Sequence, residues 1–238
     1  MDFNRFQCRN LRRIIVYKEF FDMIKKNKPN ETIVIDAVVG AGKTAYMEML
    51  SEEMKIPCFQ EPVQDNSLLD KFYYDRKRYS FPLQIYFLNR RFEMLKQAAD
   101  VGKKRLMDRS IYGDMIFAKL LYEEGNMEKD EYMLYRDLLT NMLEHVEAPK
   151  LMIYLKIDTD TAIERIKKRG REYEQIVEKN YWENLNKEYE DYFSEYNLSP
   201  LLVIEAAKYD IVGNEKDRAE VLQIIRKKIM EVDNSNKQ

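Results

Sequence analysis

The sequence has few of the residues that build linkers, disulfides and metal sites. Its 238 residues include seven glycines, six prolines, two cysteines and one histidine. No Gly/Ser-rich or Pro-rich linker, low-complexity tract or fixed-period repeat interrupts it, so we predict a single domain over residues 1–238. A lone histidine excludes a histidine-based metal cluster. Cys8 and Cys58 fit a reducing compartment and predict a cytoplasmic location.

An excess of charge of one sign is also absent. Lys and Arg total 40 against 42 acidic residues, giving a net charge of −2. This balance gives no general electrostatic reason to bind nucleic acid or an anionic membrane. No apolar run is long enough to predict a membrane span, and the charged N-terminal stretch does not resemble a secretory signal. The expected partner is therefore a small molecule, not nucleic acid or a membrane.

Short apolar runs alternate with longer stretches of helical periodicity. The runs that predict buried strands are TIVIDA (32–37), IPCFQ (56–60), KRLMD (104–108), LMIYLKI (in the 150s) and LLVIEA (201–206). Strands that alternate with helices predict an α/β fold with a parallel sheet covered on both faces. Residues 1–30 predict a helical extension whose amphipathic stripe packs on its own domain; binding to a membrane or a partner is the alternative.

The segment AVVGAGKT, residues 37–44, is a phosphate-loop motif with alanine at its first position. It stands between a predicted strand and a predicted helix, as such a loop requires. Lys43 can reach the β and γ phosphates, and Thr44 offers a hydroxyl to Mg²⁺. Ala37 occupies the exit from the strand, where a methyl group is tolerable if φ stays negative. The residues predicted to bind ATP here are Val38, Val39, Gly40, Ala41, Gly42, Lys43 and Thr44.

Other charged residues follow the predicted strands, where an open parallel sheet binds its ligands. Glu61 comes after the second strand and can accept a proton from an acceptor hydroxyl. Asp108 ends the third strand and can hold Mg²⁺ through water, while Arg109 can pair with a carboxylate or a phosphate. The basic segment RIKKRGREYE predicts a closing lid around residues 165–174 in preference to a solvated face. Because phosphoryl transfer depends on orientation and charge stabilisation, these groups favour a kinase.

The chain resembles the deoxyribonucleoside kinase family, especially its bacterial deoxyadenosine/deoxyguanosine kinase branch, from about residue 32 to residue 212. Four motifs in order carry the resemblance: AVVGAGKT, EPVQDNSLLDKFYYDRKRYSFPLQIYFLNRRF, DRSIYGD and RIKKRGREYE. The resemblance implies ATP-dependent phosphorylation of a deoxynucleoside 5′-hydroxyl. It also implies a phosphate-loop kinase fold with a five-stranded parallel sheet of the nucleoside monophosphate kinase type, and usually a homodimer.

The resemblance assigns roles to individual residues. Glu61 matches the family's general base, and Asp108 and Arg109 match its acidic-Arg-Ser motif, which supports magnesium and the transferred phosphate. Glu174 and Tyr73 match the carboxylate and the tyrosine that share the sugar 3′-hydroxyl. The arginines that match those embracing the donor phosphates are Arg165, Arg169 and Arg171. The chain departs from the family in the alanine that begins its phosphate loop and in an N-terminal helix longer than many members carry.

Three polar residues are predicted to read the acceptor base. Gln84 and Arg91 lie two turns apart on one predicted helix, and Asp114 can pair with Arg91 and accept from an exocyclic amine. A carboxylate there disfavours thymine, so deoxyadenosine is expected first, then deoxyguanosine or deoxycytidine. An ordinary ion pair between Arg91 and Asp114 is the alternative. Aromatic residues expected to stack on the base, or simply to form core, are Phe72, Tyr86 and Phe87.

Other functions stay open at this level. A thymidylate-type monophosphate kinase shares the fold, the loop and the lid, but its acceptor already carries a nucleophile and does not need Glu61. A regulatory or motor ATPase would need no acceptor site at all. Contacts to the donor base are not marked by any motif, and Asp210 is assigned to them only provisionally.

Overall fold

The computed structural model describes residues 14–24, 29–60, 66–100 and 104–235. In this part of the chain, five strands form one sheet in the order β2-β3-β1-β4-β5, and all neighbours are parallel. The strands are β1 (Thr32–Ala37), β2 (Cys58–Phe59), β3 (Arg105–Asp108), β4 (Leu151–Lys156) and β5 (Leu201–Glu205). The predicted α/β fold with a five-stranded parallel sheet is confirmed.

The helices are named in chain order. They are α1 (14–23), α2 (Lys43–Met54), α3 (Ser67–Tyr74), α4 (Arg76–Asp100), α5 (Asp114–Glu123), α6 (Lys129–Leu143), α7 (Thr159–Arg169), α8 (Glu172–Gln175), α9 (Lys179–Glu195) and α10 (Glu215–Ser235). Short 3₁₀ turns occupy Ile111–Gly113 and Ala206–Lys208. None of the helices in the described ranges combines the length and the apolar character that crossing a membrane requires.

The central position of β1 decides where the phosphate loop lies. β1 is buried along its whole length and is flanked by β3 and β4. In the register with β3, Ile35 is level with Asp108, so both strands deliver their following residues to the same edge of the sheet. The carboxyl edge of a parallel sheet is where such folds bind ligands. Sheet order therefore brings the loop after β1 and the segment after β3 together.

Local sequence explains where helix α7, which carries part of the predicted lid, begins and ends. The Asp158 side chain accepts a hydrogen bond from the Thr161 backbone N–H (2.8 Å) and caps the first turn. Gly170 has a φ of +75° and ends the helix in the left-handed conformation that favours glycine. The chain then continues directly into the short helix α8, which carries Glu174. This arrangement produces the sharp turn expected of the lid segment.

The N-terminal helix α1 packs on the rest of the domain. The rings of Tyr17 and Phe21 lie 5.4 and 5.0 Å from the ring of Tyr192 on α9. The Tyr17 hydroxyl donates to Glu188 (2.6 Å), which also accepts from Lys119 on α5 (2.8 Å). A buried ion pair that is hydrogen-bonded on both sides avoids the cost of an unpaired buried charge. Helix α1 thereby covers the junction of α5 and α9.

Candidate active site

The phosphate loop has the backbone that its two glycines require. Gly40 and Gly42 have φ values of +89° and +92°. A Cβ on Gly40 would lie 2.5 Å from the carbonyl oxygen of Ala162, so glycine is needed there for space as well as for conformation. Ala37 is buried in β1, where it pairs with Leu155. Position 37 is therefore ordinary strand backbone, where alanine is tolerated. The loop keeps glycine at positions 40 and 42, where φ is positive.

A cavity of about 180 Å³ opens directly above this loop. Lys43 and Thr44, at the start of α2, line it, and Lys43 Nζ lies 3.6 Å from Asp108 Oδ1. Asp108 Oδ1 is buried and receives no hydrogen bond from the described residues. The other predicted loop residues that line the cavity are Val38, Val39, Gly40 and Gly42. Ala41 contributes its carbonyl oxygen, which accepts a hydrogen bond from Arg165 (3.1 Å).

The site has ligand types that suit Mg²⁺. Asp108 and Thr44 line the same cavity beside the phosphate loop, and carboxylate and hydroxyl oxygens are hard ligands of the kind that Mg²⁺ prefers. The buried oxygen of Asp108, with a cation as its near neighbour, shows that this position favours positive charge. The described residues contain no cluster of three acidic, histidine or cysteine side chains that could hold a metal.

The cavity is also lined by the three residues predicted to read the base. Gln84 and Arg91 project from α4, and both are buried and line the cavity. Arg91 Nε donates to both carboxylate oxygens of Asp114, at 2.8 and 2.9 Å. Arg91 also donates to the backbone carbonyl of Asp108 (3.3 Å). The Arg91–Asp114 pair is thus held against Asp108, the residue predicted to bind Mg²⁺.

Arg109 enters the cavity from the segment after β3 with an unusual backbone. Its φ of +64° lies in the left-handed region, which a non-glycine residue adopts only at a cost. The guanidinium donates to Asp36 Oδ1 (3.3 Å) and to the Tyr189 hydroxyl, and it lies 5.1 Å from the ring centre of Phe117. Burial raises the pKa of Asp36, while the charge of Arg109 opposes that rise. Several contacts therefore hold Arg109 in place.

Two of the three arginines predicted for the lid, Arg169 and Arg171, meet at Glu174. Arg169 donates to both carboxylate oxygens of Glu174 at 2.6 Å, and Arg171 lies 3.5 Å from the same carboxylate. Beside them, the ring of Tyr73 stacks on that of Tyr173 at 5.3 Å. Burial raises the pKa of Tyr73 well above its usual value, so its hydroxyl remains protonated and able to donate. All of the predicted lid and sugar-binding residues except Arg165 line the cavity.

Some predicted residues are not in this cavity. Tyr86 does not line it; its ring lies 5.7 Å from that of Phe87 and near the Arg90 guanidinium. The Asp210 carboxylate accepts from the backbone N–H of Gly213 (2.9 Å), so it caps its own turn, and its assignment to the donor base stays a prediction. Glu61 lies outside the described residues, and its role as the base also stays a prediction.

Four cavity residues were missed by motif reading. They are Leu69, Leu83, Phe117 and Tyr181. Phe117 and Tyr181 lie on helices with a strongly buried face, where an aromatic residue at helical spacing is read as core. Phe117 could have been flagged because it lies three residues after Asp114, on the same face of α5. No comparable signal marks Tyr181.

A phosphate loop, a lysine and a carboxylate beside it, and arginines on both sides of Gly170 that line the same cavity define a phosphotransferase of the phosphate-loop kinase fold. The sequence also matches the deoxynucleoside kinase family model over residues 33–231. The chain therefore belongs to the deoxynucleoside kinase family and is a phosphotransferase enzyme.

Individual relatives are similar over most of their length. A deoxyadenosine kinase of Lactobacillus acidophilus is 38% identical over 213 residues, which cover 86% of this chain and 99% of that protein. The deoxyadenosine/deoxycytidine kinase of Bacillus subtilis is 36% identical, with 78% and 87% covered. The structure of a deoxyadenosine kinase from M. mycoides with the products dCMP and dCDP has a TM-score of 0.73 at 34% identity and covers 82% of this chain and 97% of that one.

Proposed function

We propose that the protein transfers the γ-phosphoryl group of ATP to the 5′-hydroxyl of deoxyadenosine, with deoxyguanosine and deoxycytidine as further acceptors, in nucleotide salvage. The observation that carries this proposal is one cavity that is lined both by the phosphate loop and by Gln84, Arg91 and Asp114. Such a cavity offers groups for a phosphate donor and for an acceptor base. Arg109 lines it as well and would then lie beside the acceptor hydroxyl.

On the donor side, the loop N–H groups and the positive end of α2 bind the phosphates. Lys43 neutralises charge on the β and γ phosphates, and Arg169 and Arg171 close over them from the lid. Arg165 instead supports the loop, since it donates to the carbonyl oxygens of Ala41 and Ala206. Thr44 and Asp108 would hold Mg²⁺, which when bound neutralises the charge of the donor phosphates.

On the acceptor side, the Gln84 carboxamide can bond adenine at N6 and N7. Asp114, oriented by Arg91, accepts from an exocyclic amine and opposes the carbonyl that thymine has instead. Tyr73 and Glu174 both line the cavity, and they are assigned to the sugar 3′-hydroxyl. The names of the L. acidophilus and B. subtilis relatives support acceptors with an amino group, and so does the dCMP bound by the M. mycoides protein.

A panel of acceptors tests the proposal. ADP release is measured with MgATP and each of deoxyadenosine, deoxyguanosine, deoxycytidine, thymidine and dTMP, with an acceptor-free control. We expect the highest kcat/KM with deoxyadenosine and a 5′-monophosphate as product. Turnover with dTMP alone would replace the proposal with a thymidylate-type monophosphate kinase, and turnover without acceptor would favour an ATPase.

Glu61 is proposed as the base that takes the proton from the 5′-hydroxyl. The Glu61→Gln variant keeps the shape of the side chain but removes the base, so kcat should fall about 100-fold or more while nucleoside binding changes little. The matched control is Glu144→Gln, which changes an exposed carboxylate at the end of α6 and should leave kcat unchanged. A kcat near the wild-type value for Glu61→Gln would remove Glu61 from this role.

The family resemblance also supports a cytoplasmic homodimer. Light scattering coupled to size-exclusion chromatography measures the assembly directly, and a mass twice that of one 28.7 kDa chain is expected. A mass equal to one chain would contradict the proposed dimer and leave the proposed reaction untouched.

A further inference from the structure

Arg109 is held in a backbone conformation that needs outside support. It follows β3 directly and has a φ of +64°, in the left-handed region that disfavours residues with a Cβ. Such a conformation persists only where the surrounding structure determines it.

Two buried residues from distant parts of the chain surround the guanidinium. Arg109 Nη1 donates to the hydroxyl of Tyr189 on α9, and this hydroxyl donates to Asp36 Oδ1 on β1 (3.2 Å). Arg109 Nη1 also donates to the same Asp36 oxygen (3.3 Å), which further accepts from the backbone N–H of Ala37 (2.9 Å). These hydrogen bonds form a closed triangle that ties Arg109 to the strand before the phosphate loop.

We propose that Tyr189 and Asp36 are positioning residues that hold the Arg109 guanidinium at the site of phosphoryl transfer. Neither side chain lines the cavity, so both act through Arg109 and not by touching a substrate. The inference rests on the proposed function, in which Arg109 stabilises the transferred phosphoryl group. A displaced guanidinium would weaken an interaction made in the transition state, which lowers kcat more than it changes substrate binding.

Gly113 gives an independent sign of the same unit. Its backbone is helical, with φ −74° and ψ −12°, a conformation open to any residue. A Cβ at this position would nevertheless lie 2.6 Å from Asp36 Oδ2. Glycine is therefore required here by the close approach of Asp36 and not by backbone conformation. The DRSIYGD segment thus supplies both Arg109 and the space in which its partner sits.

The Tyr189→Phe variant removes the hydroxyl and keeps the ring. We expect kcat to fall about tenfold or more, because small misplacements of a catalytic group cost one to two orders of magnitude, while KM for the nucleoside stays within about twofold. Tyr192→Phe is the matched control: Tyr192 lies on the same helix, is fully buried, and its hydroxyl has no hydrogen-bond partner among the described residues. It should keep normal kcat and KM.

A double-mutant cycle separates positioning from a general effect on the fold. If Tyr189 acts through Arg109, then Tyr189→Phe should cause no further loss of kcat in an Arg109→Ala background. Equal losses in both backgrounds, or a normal kcat for Tyr189→Phe, would overturn the inference alone. A normal kcat for Arg109→Ala would overturn the proposed role of Arg109 and the inference with it.

A second variant reaches the unit from the other side. Gly113→Ala should displace Asp36 and lower kcat in the wild-type background, but not in the Arg109→Ala background. Circular dichroism and thermal unfolding establish that each variant is folded. If Tyr189→Phe does not fold, this second cycle decides the matter in the same way, with additive losses contradicting the inference.

Discussion

The arginines around the cavity fall into two sets with opposite environments. Arg91 and Arg109 in the floor have side chains only 3% and 6% exposed, and each is hydrogen-bonded to a buried carboxylate. Arg169 and Arg171 in the lid are 38% and 40% exposed and converge on Glu174. Arg109 directly follows β3 and Arg91 donates to the backbone carbonyl of Asp108 at the end of that strand, whereas the lid arginines flank Gly170, where α7 ends.

The two environments suit two tasks, which are to hold catalytic groups in a fixed orientation and to let substrates enter and leave. Buried, hydrogen-bonded arginines are oriented before substrate arrives, so no reorganisation is needed when charge develops. The guanidinium groups of Arg169 and Arg171 are partly exposed, so solvent weakens their attraction to the buried Glu174 carboxylate. In the proposed reaction, Glu174 releases both arginines to the donor phosphates when it binds a sugar hydroxyl. The floor supplies geometry, and the lid supplies closure.

Lys43, whose side chain is only 12% exposed, is grouped with the floor and should be the most sensitive residue. Lys43→Met removes the positive charge that stabilises the transferred phosphoryl group, so kcat should fall about 1,000-fold, with little change in thermal stability. Lys167→Met, an exposed lysine on the lid helix, is the control and should lose little activity. Comparable losses for the two variants would show that the floor is not the more demanding part.

The second prediction compares stability between floor and lid. Arg91→Met leaves the Asp114 carboxylate buried without its partner, so the free energy of unfolding should drop by about 3 kcal/mol. In Arg169→Met the lost guanidinium is partly exposed, and Arg171 stays beside the buried Glu174 carboxylate, so the cost should be smaller, about 1 kcal/mol. Urea unfolding of both variants measures the difference. Adding Asp114→Leu to Arg91→Met should restore part of the loss, and equal costs for Arg91→Met and Arg169→Met would contradict the division into two sets.

The smallest effect concerns the choice of base. Asp114→Ala removes the carboxylate that opposes thymine O4, so kcat/KM for thymidine relative to deoxyadenosine should rise about tenfold, equivalent to about 1.4 kcal/mol. Asp114→Asn, which keeps the shape and offers an amide donor, should shift the ratio in the same direction. An unchanged ratio in both variants would mean that the base is read by other residues.

Much of this site could be predicted because its residues sit beside strong local signals. Glycines mark the phosphate loop, and charged residues at the ends of apolar strands mark the catalytic edge. Gln84 and Arg91 share a helix face, as their spacing predicts, and the pairing of Arg91 with Asp114 is found in the structure. Tyr86, expected to stack on the base or to form core, does not line the cavity, because helical spacing alone does not tell which side of the helix faces it.

The rest could not be predicted because the partners are far apart in the chain. Tyr189 lies on an amphipathic helix where its spacing indicates core, and nothing in its neighbourhood marks a hydroxyl that meets an arginine 80 residues earlier. Asp36 reads as the polar end of a strand. Gly113 looks like a turn glycine, although its backbone is helical and its true constraint is Asp36.

The sequence by itself determined the order of strands and helices, the phosphate loop and the set of groups able to act on a phosphate, because each depends on neighbours within a few residues. Tertiary structure decided the order of strands in the sheet, the pairing of lid arginines with Glu174 and the triangle of Asp36, Arg109 and Tyr189. Those features depend on contacts between distant segments, which only the packing of helices on the central sheet brings within hydrogen-bonding distance.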